Sequence, residues 1–157
     1  MESAEGDKGK HMEYIRALWS NKTVTVPALA WLFAQTAKVL ISIIVYRKYD
    51  VGRWFGAGGM PSSHTAYVIS LTAVLGKNFG LESTPFGLAV AFSFIVMHDA
   101  LGVRRAAGKQ AKLLNSLMTT HFAGEEFYEK LKELLGHKPL EVFVGGLIGL
   151  AIGLNFG

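Results

Sequence analysis

Val24-Thr25-Val26-Pro27-Ala28-Leu29-Ala30-Trp31-Leu32-Phe33-Ala34-Gln35-Thr36-Ala37-Lys38-Val39-Leu40-Ile41-Ser42-Ile43-Ile44-Val45-Tyr46 is apolar over the width of a bilayer, about 20 residues. Only Gln35 and Lys38 interrupt it strongly, and Arg47-Lys48-Tyr49-Asp50 ends it at an interface. A run of this length reads as a membrane-spanning helix.

Three further apolar runs follow. Thr65 to Leu75 is short and fades at Gly76-Lys77-Asn78; tilt, or counting from Ser62, helps it cross. Phe86 to Val103 is broken near its end by His98 and Asp99, after a Glu82-Ser83-Thr84-Pro85 turn that puts Pro85 in the first helical turn. Leu140 to Phe156 closes the chain, with Gly145, Gly149 and Gly153 four apart as a ridge for close helix contact, within the chain or in a homodimer. Between the third and fourth runs the chain is polar. There Leu113, Leu114, Leu117, Met118, Phe122, Phe127, Leu131, Leu134 and Leu135 recur at helical spacing, which predicts one or two amphipathic helices. The expected fold is all-α: an integral membrane bundle of about four embedded helices, with an amphipathic helix between the third and fourth.

Composition agrees. Half of the 157 residues are apolar and 18% are charged, too oily for an ordinary soluble domain. The length fits one domain. With no cysteine, disulfides and thiolate metal sites are excluded. Residues 1–11 read as an appended leader before Met12, leaving 12–157 as a single membrane domain behind an amphipathic lead-in, Tyr14 to Asn21. Without the leader's three acids and two lysines the formal charge rises from +4 to +5.

Four spans bring residues far apart in sequence to one membrane face. Pro61 to His64, Arg104-Arg105 and His137 all emerge there. That face also carries Arg47, Lys48, Arg53 and the lysines after Arg105, while the other has Arg16, Lys22 and Lys77. The positive-inside rule puts the richer face in the cytoplasm.

The residues on that face suit phosphate chemistry. In Gly58-Gly59-Met60-Pro61-Ser62-Ser63-His64 the glycines let backbone approach an anion, and the proline and serines suit a helix start. Free N–H groups and the helix dipole there attract phosphate, and His64 could protonate a leaving oxygen. His137 and Glu141 are four apart, so a helix puts them on one face. A carboxylate on one imidazole nitrogen leaves the other free to attack. Glu141 begins a strongly apolar helix, where an acid is costly without a partner. Arg104 and Arg105 can clamp phosphate oxygens or snorkel to head groups. Asp99 can pair with either arginine or with Lys38. Lys38, mid-span, calls for a phosphate, an acid or a snorkelled route to water.

At these residues the chain resembles the divergent branch of the type 2 phosphatidic acid phosphatases, a branch related to vanadium haloperoxidases. The resemblance runs from about Pro27 to the C-terminus. Pro61-Ser62-Ser63-His64 is similar to the P-S-G-H pattern of the main family, with Ser63 in place of glycine. His137-x3-Glu141 is similar to the end of S-R-x5-H-x3-D, with glutamate in place of aspartate. Eight residues separate Lys38 from Arg47 where the main pattern has six before R-P, and Arg104-Arg105 precede His137 by more than thirty.

The resemblance implies a metal-independent lipid phosphate phosphatase. His137 would be the nucleophile forming a phosphohistidine, Glu141 its orienting acid and His64 the general acid. Lys38, Ser62, Ser63, Arg104 and Arg105 would bind phosphate, with Asp99 and Gly59 in support. No cofactor, metal or nucleic acid is expected; the partners are the bilayer and a lipid phosphate. An alternative of the same fold is a protein that binds or transports lipid head groups without hydrolysis. Asp99-x2-Gly102-Val103-Arg104-x3-Gly108 faintly resembles the metal-binding motif of CDP-alcohol phosphotransferases, but no aspartate follows Asp99 to complete it.

Overall fold

Asn21 starts the first apolar helix. Its side chain accepts the N–H of Thr23 at 3.0 Å and the Thr23 hydroxyl at 2.6 Å, a cap worth about 1 kcal/mol. The structure is a computed structural model that describes residues 2–47, 59–121, 131 and 136–157. Among them are six helices and no strand: α1 (Glu2–Ser20), α2 (Lys22–Tyr46), α3 (Ser63–Phe79), α4 (Thr84–Leu101), α5 (Val103–His121) and α6 (Pro139–Phe156). Much of the glycine-rich loop through Gly58, with Lys48 and Arg53, lies outside the described residues. So do Phe122, Phe127, Leu134 and Leu135 of the amphipathic segment. α1 runs without a break through the expected leader and lead-in, and it touches α2 and no other described helix.

α2, the stretch running from α4 into α5, and α6 are each long and apolar enough to cross a bilayer. α3 is shorter, at 17 residues. It packs against α2, α4 and α6 and so forms the inner helix of the bundle. This position explains its sequence: Ser63, Thr65 and Ser70 are buried against neighbouring helices instead of facing lipid. Large apolar side chains point outward instead, among them Phe33 and Ile44 on α2, Leu88 and Ile95 on α4, and Phe143 and Leu154 on α6. Small and polar groups inside with an apolar surface outside is the pattern of helices packing in lipid.

The contacts fix the directions. Ala30 and Ala34 of α2 meet Ala66 of α3. Ser93 of α4 bonds to α3 through the Val68 carbonyl at 3.1 Å and the Thr72 hydroxyl at 2.9 Å. With Lys38 beside Gly59 before α3, and Phe86 of α4 beside Gly76 near the end of α3, α2 and α4 are antiparallel to α3. α6 is parallel to it: Gly145, Gly149 and Gly153 lie against the backbone of Ser62, Ala66 and Ser70 in turn, so closely that a Cβ at any of them would collide. The glycine ridge is therefore used inside the chain, against α3. Such spacing allows Cα–H···O contacts in addition to dispersion.

At the far face, Lys77 reaches the carbonyls of Leu154 and Gly157 at 3.1 and 2.9 Å, and Lys22 reaches Gly157 at 3.2 Å. These cations sit on the negative end of the α6 dipole and satisfy its last carbonyls. Pro85 falls in the first turn of α4 behind its Ser83 cap, as the sequence indicates.

α5 begins the amphipathic stretch. Ala111 and Asn115 are buried, whereas Leu113, Leu114 and Leu117 remain exposed. The Asn115 amide donates to the Leu131 carbonyl at 2.8 Å and accepts the Leu131 N–H at 3.0 Å. Both ends of one side chain hold the returning backbone.

Candidate active site at the membrane face

Because α3 and α6 are parallel, their N-termini open on the same face, where α4 ends. Ser62 caps α3: its hydroxyl takes the Thr65 N–H at 3.4 Å and shares a 2.9 Å hydrogen bond with the Thr65 hydroxyl. Its own N–H donates to the Glu141 carbonyl at 2.9 Å. Ser62 is thus engaged within the protein at both groups, and Pro61 is buried ahead of the cap instead of opening the helix. Ser63 is buried as well. What this turn offers an anion is the N–H pair of Ser63 and His64, which has no acceptor within the helix, and the dipole behind it.

α6 begins at Pro139, a favoured first residue. Glu141, in the third helical position, reaches back to accept the Lys138 N–H at 3.1 Å, which is half of a capping box. The same Oε2 atom lies 3.0 Å from Nδ1 of His137. A carboxylate there makes Nδ1 the donor, so the lone pair of the His137 ring is on Nε2. His137 is only 4% exposed. Its N–H donates to the Ala100 carbonyl at the end of α4, at 3.0 Å. Glu141 is affordable at the head of an apolar helix because it serves both His137 and the helix cap, near the positive end of the dipole.

Gly136 joins the two distant segments. Its φ of +86° is a left-handed conformation, and a Cβ on it would sit 2.5 Å from the Arg105 nitrogen and 2.7 Å from the Arg105 Cα. The backbone of Arg104 and Arg105 therefore lies directly against the residue before His137, and the gap of more than thirty residues is closed by the fold. The two arginines then differ. Arg104 donates Nε–H to Asp99 Oδ2 at 2.6 Å. Both partners are more than a third exposed, so the pair orients Arg104 more than it stabilises the fold. Arg104 is within electrostatic reach of His64, as are His137 and Lys38. Arg105 is exposed, and among the described contacts only its backbone is tied to the site.

Lys38 is 2% exposed, which excludes a snorkelled route to open water. Its stem passes Gly59, where a Cβ would lie 3.7 Å away. Gly59 has φ +89°, so glycine suits this turn on conformational grounds too. Asp99 pairs with Arg104, the choice among three that the sequence leaves open. The residues that sequence reasoning did not single out are positional: Ala100 through its carbonyl, Lys138 through its amide, and Gly136 through its backbone. Only Gly136 carried a signal, as a lone glycine just before a His-Lys-Pro helix start.

Comparison with known proteins gives the family. No solved structure matches the chain. An uncharacterized membrane protein, YuiD of Bacillus subtilis (strain 168), is 44% identical over 137 residues, covering 80% of this chain and 87% of the relative. The model of the Divergent PAP2 family matches residues 19–152, which takes in every site residue above and leaves out most of α1. A multi-pass helical protein with these motifs on one membrane face, the chain belongs to the Divergent PAP2 family.

Proposed function

We propose that the protein hydrolyses a lipid phosphate or diphosphate at this face, through a phosphohistidine on His137. The observation that carries the reading is the 3.0 Å contact between His137 Nδ1 and Glu141 Oε2, which leaves Nε2 as a nucleophile beside two helix N-termini. Nε2 attacks phosphorus and forms a P–N bond as the P–O bond to the leaving group breaks. His64, protonated beside the negative charge of the bound phosphate, gives its proton to the departing oxygen. A water then attacks phosphorus, the P–N bond breaks, and neutral His64 takes the water's proton, releasing inorganic phosphate.

Arg104, Lys38 and the N–H groups of Ser63 and His64 neutralise charge on the equatorial oxygens, the dominant need in phosphoryl transfer. Glu141 holds the ring in one tautomer and offsets the charge that His137 gains. Arg104 and the other cations of this face favour a cytoplasmic site.

The test is phosphate release from alkyl and isoprenyl mono- and diphosphates by the purified protein in detergent. Release that disappears in His137→Ala supports the reading. Binding of the same lipids by wild type with no release from any of them would overturn it in favour of a head-group binding protein.

A further inference from the structure

Two apolar grooves open on the lipid-facing side of the bundle, each of about 390 Å³. One runs between α3, α4 and α6, starting at Pro139 and Val142 and continuing past Leu147 and Leu150. The other lies among α2, α3 and α4, with His64 in its wall and Trp31, Tyr67 and Phe92 lining it. Helical rise gives the second groove its depth. Trp31 and Ala28 precede Lys38 by seven and ten residues, about 10 and 15 Å along α2. On α4, Val96 and Phe92 lie one and two turns before Ala100, whose carbonyl holds His137. The groove therefore runs from the site about 10–15 Å along the apolar length of α2 toward the far face.

Phosphoryl transfer discriminates between the two. Attacking and leaving atoms stand roughly in line on opposite sides of phosphorus. The first groove starts beside His137, on the nucleophile's side. The second includes His64, the group that meets the leaving oxygen.

Resting on the hydrolytic reading above, we propose that the α2/α3/α4 groove holds the hydrocarbon chain of the leaving group. The substrate class is then a lipid whose chain is attached, through an alcohol oxygen or a phosphate, on the His64 side of the scissile bond. The reaction breaks that P–O bond, His64 supplies the proton, and the protonated product slides back into the bilayer along the same groove. Trp31, Tyr67 and Phe92 give the groove a stiff aromatic wall, and Ala28 at its far end leaves space for the chain.

The test uses the full chain in phosphatidylcholine vesicles and a medium-chain alkyl phosphate carrying a diazirine at its terminal carbon. After irradiation, label should appear on Ala28, Trp31 or Phe92. Excess unmodified alkyl phosphate should remove it, and excess parent alcohol should not. Ala28→Phe, at a lipid-exposed position, should cut labelling of Trp31 several-fold. Label on Leu147 or Leu150, or equal competition by the alcohol, would overturn the assignment. Labelling does not depend on turnover, so a wild type that releases no phosphate would sink the hydrolytic reading while the labelled positions still decide the groove. In the turnover arm, Ala28→Phe should lower the long-chain to short-chain ratio of kcat/KM by about tenfold, the scale of about two displaced methylenes. Leu150→Phe should leave that ratio unchanged. The opposite pattern would assign the chain to the other groove.

Discussion

The backbone N–H of Ser62 donates to the carbonyl of Glu141 at 2.9 Å. One hydrogen bond thus ties the cap of α3 to the first turn of α6 and keeps His64 and His137 at the same end of the bundle. The Glu141 carboxylate is a separate handle, because it orients His137 while the carbonyl holds α3. Glu141→Gln keeps the backbone bond and can still accept the Lys138 N–H, yet it removes the negative charge facing Nδ1. Phosphate release should fall by about 100-fold or more, with most of the loss in kcat, while the unfolding temperature changes little. Glu141→Asp should recover part of the rate. Equal losses in the glutamine and aspartate variants would make the residue structural only.

The α3–α6 contact predicts which glycines tolerate a methyl group. At Gly149 a Cβ runs into the carbonyl of Ala66, whereas at Gly87 it meets nothing within 4 Å. Gly149→Ala should destabilise the protein by about 1–3 kcal/mol through forced separation of the two helices. Gly87→Ala should be neutral or slightly stabilising, since alanine favours helix. Thermal unfolding in detergent compares them directly. Similar melting temperatures for the two variants would contradict the close approach.

The sequence exposed the fold class because lipid imposes run length, and α2, α4 and α6 answer that demand residue by residue. It concealed the role of α3. A helix walled by three others needs small and polar contacts more than apolar length, so the run from Thr65 to Leu75 read as short for a span. Likewise, Gly145, Gly149 and Gly153 announced a close contact without naming the partner, because a small-residue ridge reads alike for a dimer and for α3. At the site, the spacing of His137 and Glu141 was legible because helical periodicity fixes it. The fate of Ser62 was not. A serine before a helix can cap it or bind an anion, and only the positions of Thr65 and Glu141 show that its hydroxyl caps α3 while its N–H bonds to α6. Arg104 and Arg105 were equivalent in the sequence, and the Gly102 turn separates them by presenting Arg104 to Asp99.

Gly136 and Gly80 form a matched pair for testing the junction between the arginines and His137. Both have φ +86°, so alanine at either position is strained, by about 1–3 kcal/mol. Only at Gly136 would the new Cβ also strike the Arg105 backbone. Gly80→Ala should therefore lose some stability and retain phosphate release per folded molecule. Gly136→Ala should lose release by about tenfold or more, because displacing the backbone by even an ångström moves His137 away from Arg104. Comparable activity per folded molecule in the two variants would disconnect the junction from the chemistry.

The absence of cysteine gives a direct test of orientation. On the far face Lys22 and Lys77 are already occupied by the C-terminal carbonyls of α6, so those cations have a structural cause there. The site face carries the larger share of Arg and Lys, including exposed Arg47, Arg104, Arg105, Lys109 and Lys112. The positive-inside rule therefore predicts that the histidines face the cytoplasm. Gln110→Cys on α5 and Glu82→Cys in the α3–α4 turn are exposed positions on opposite faces and outside the site. A membrane-impermeant maleimide applied to intact cells should label Glu82→Cys at once, and Gln110→Cys only after permeabilisation. The reverse result would put the site on the outer surface, and the substrate would have to be a lipid phosphate of the outer leaflet.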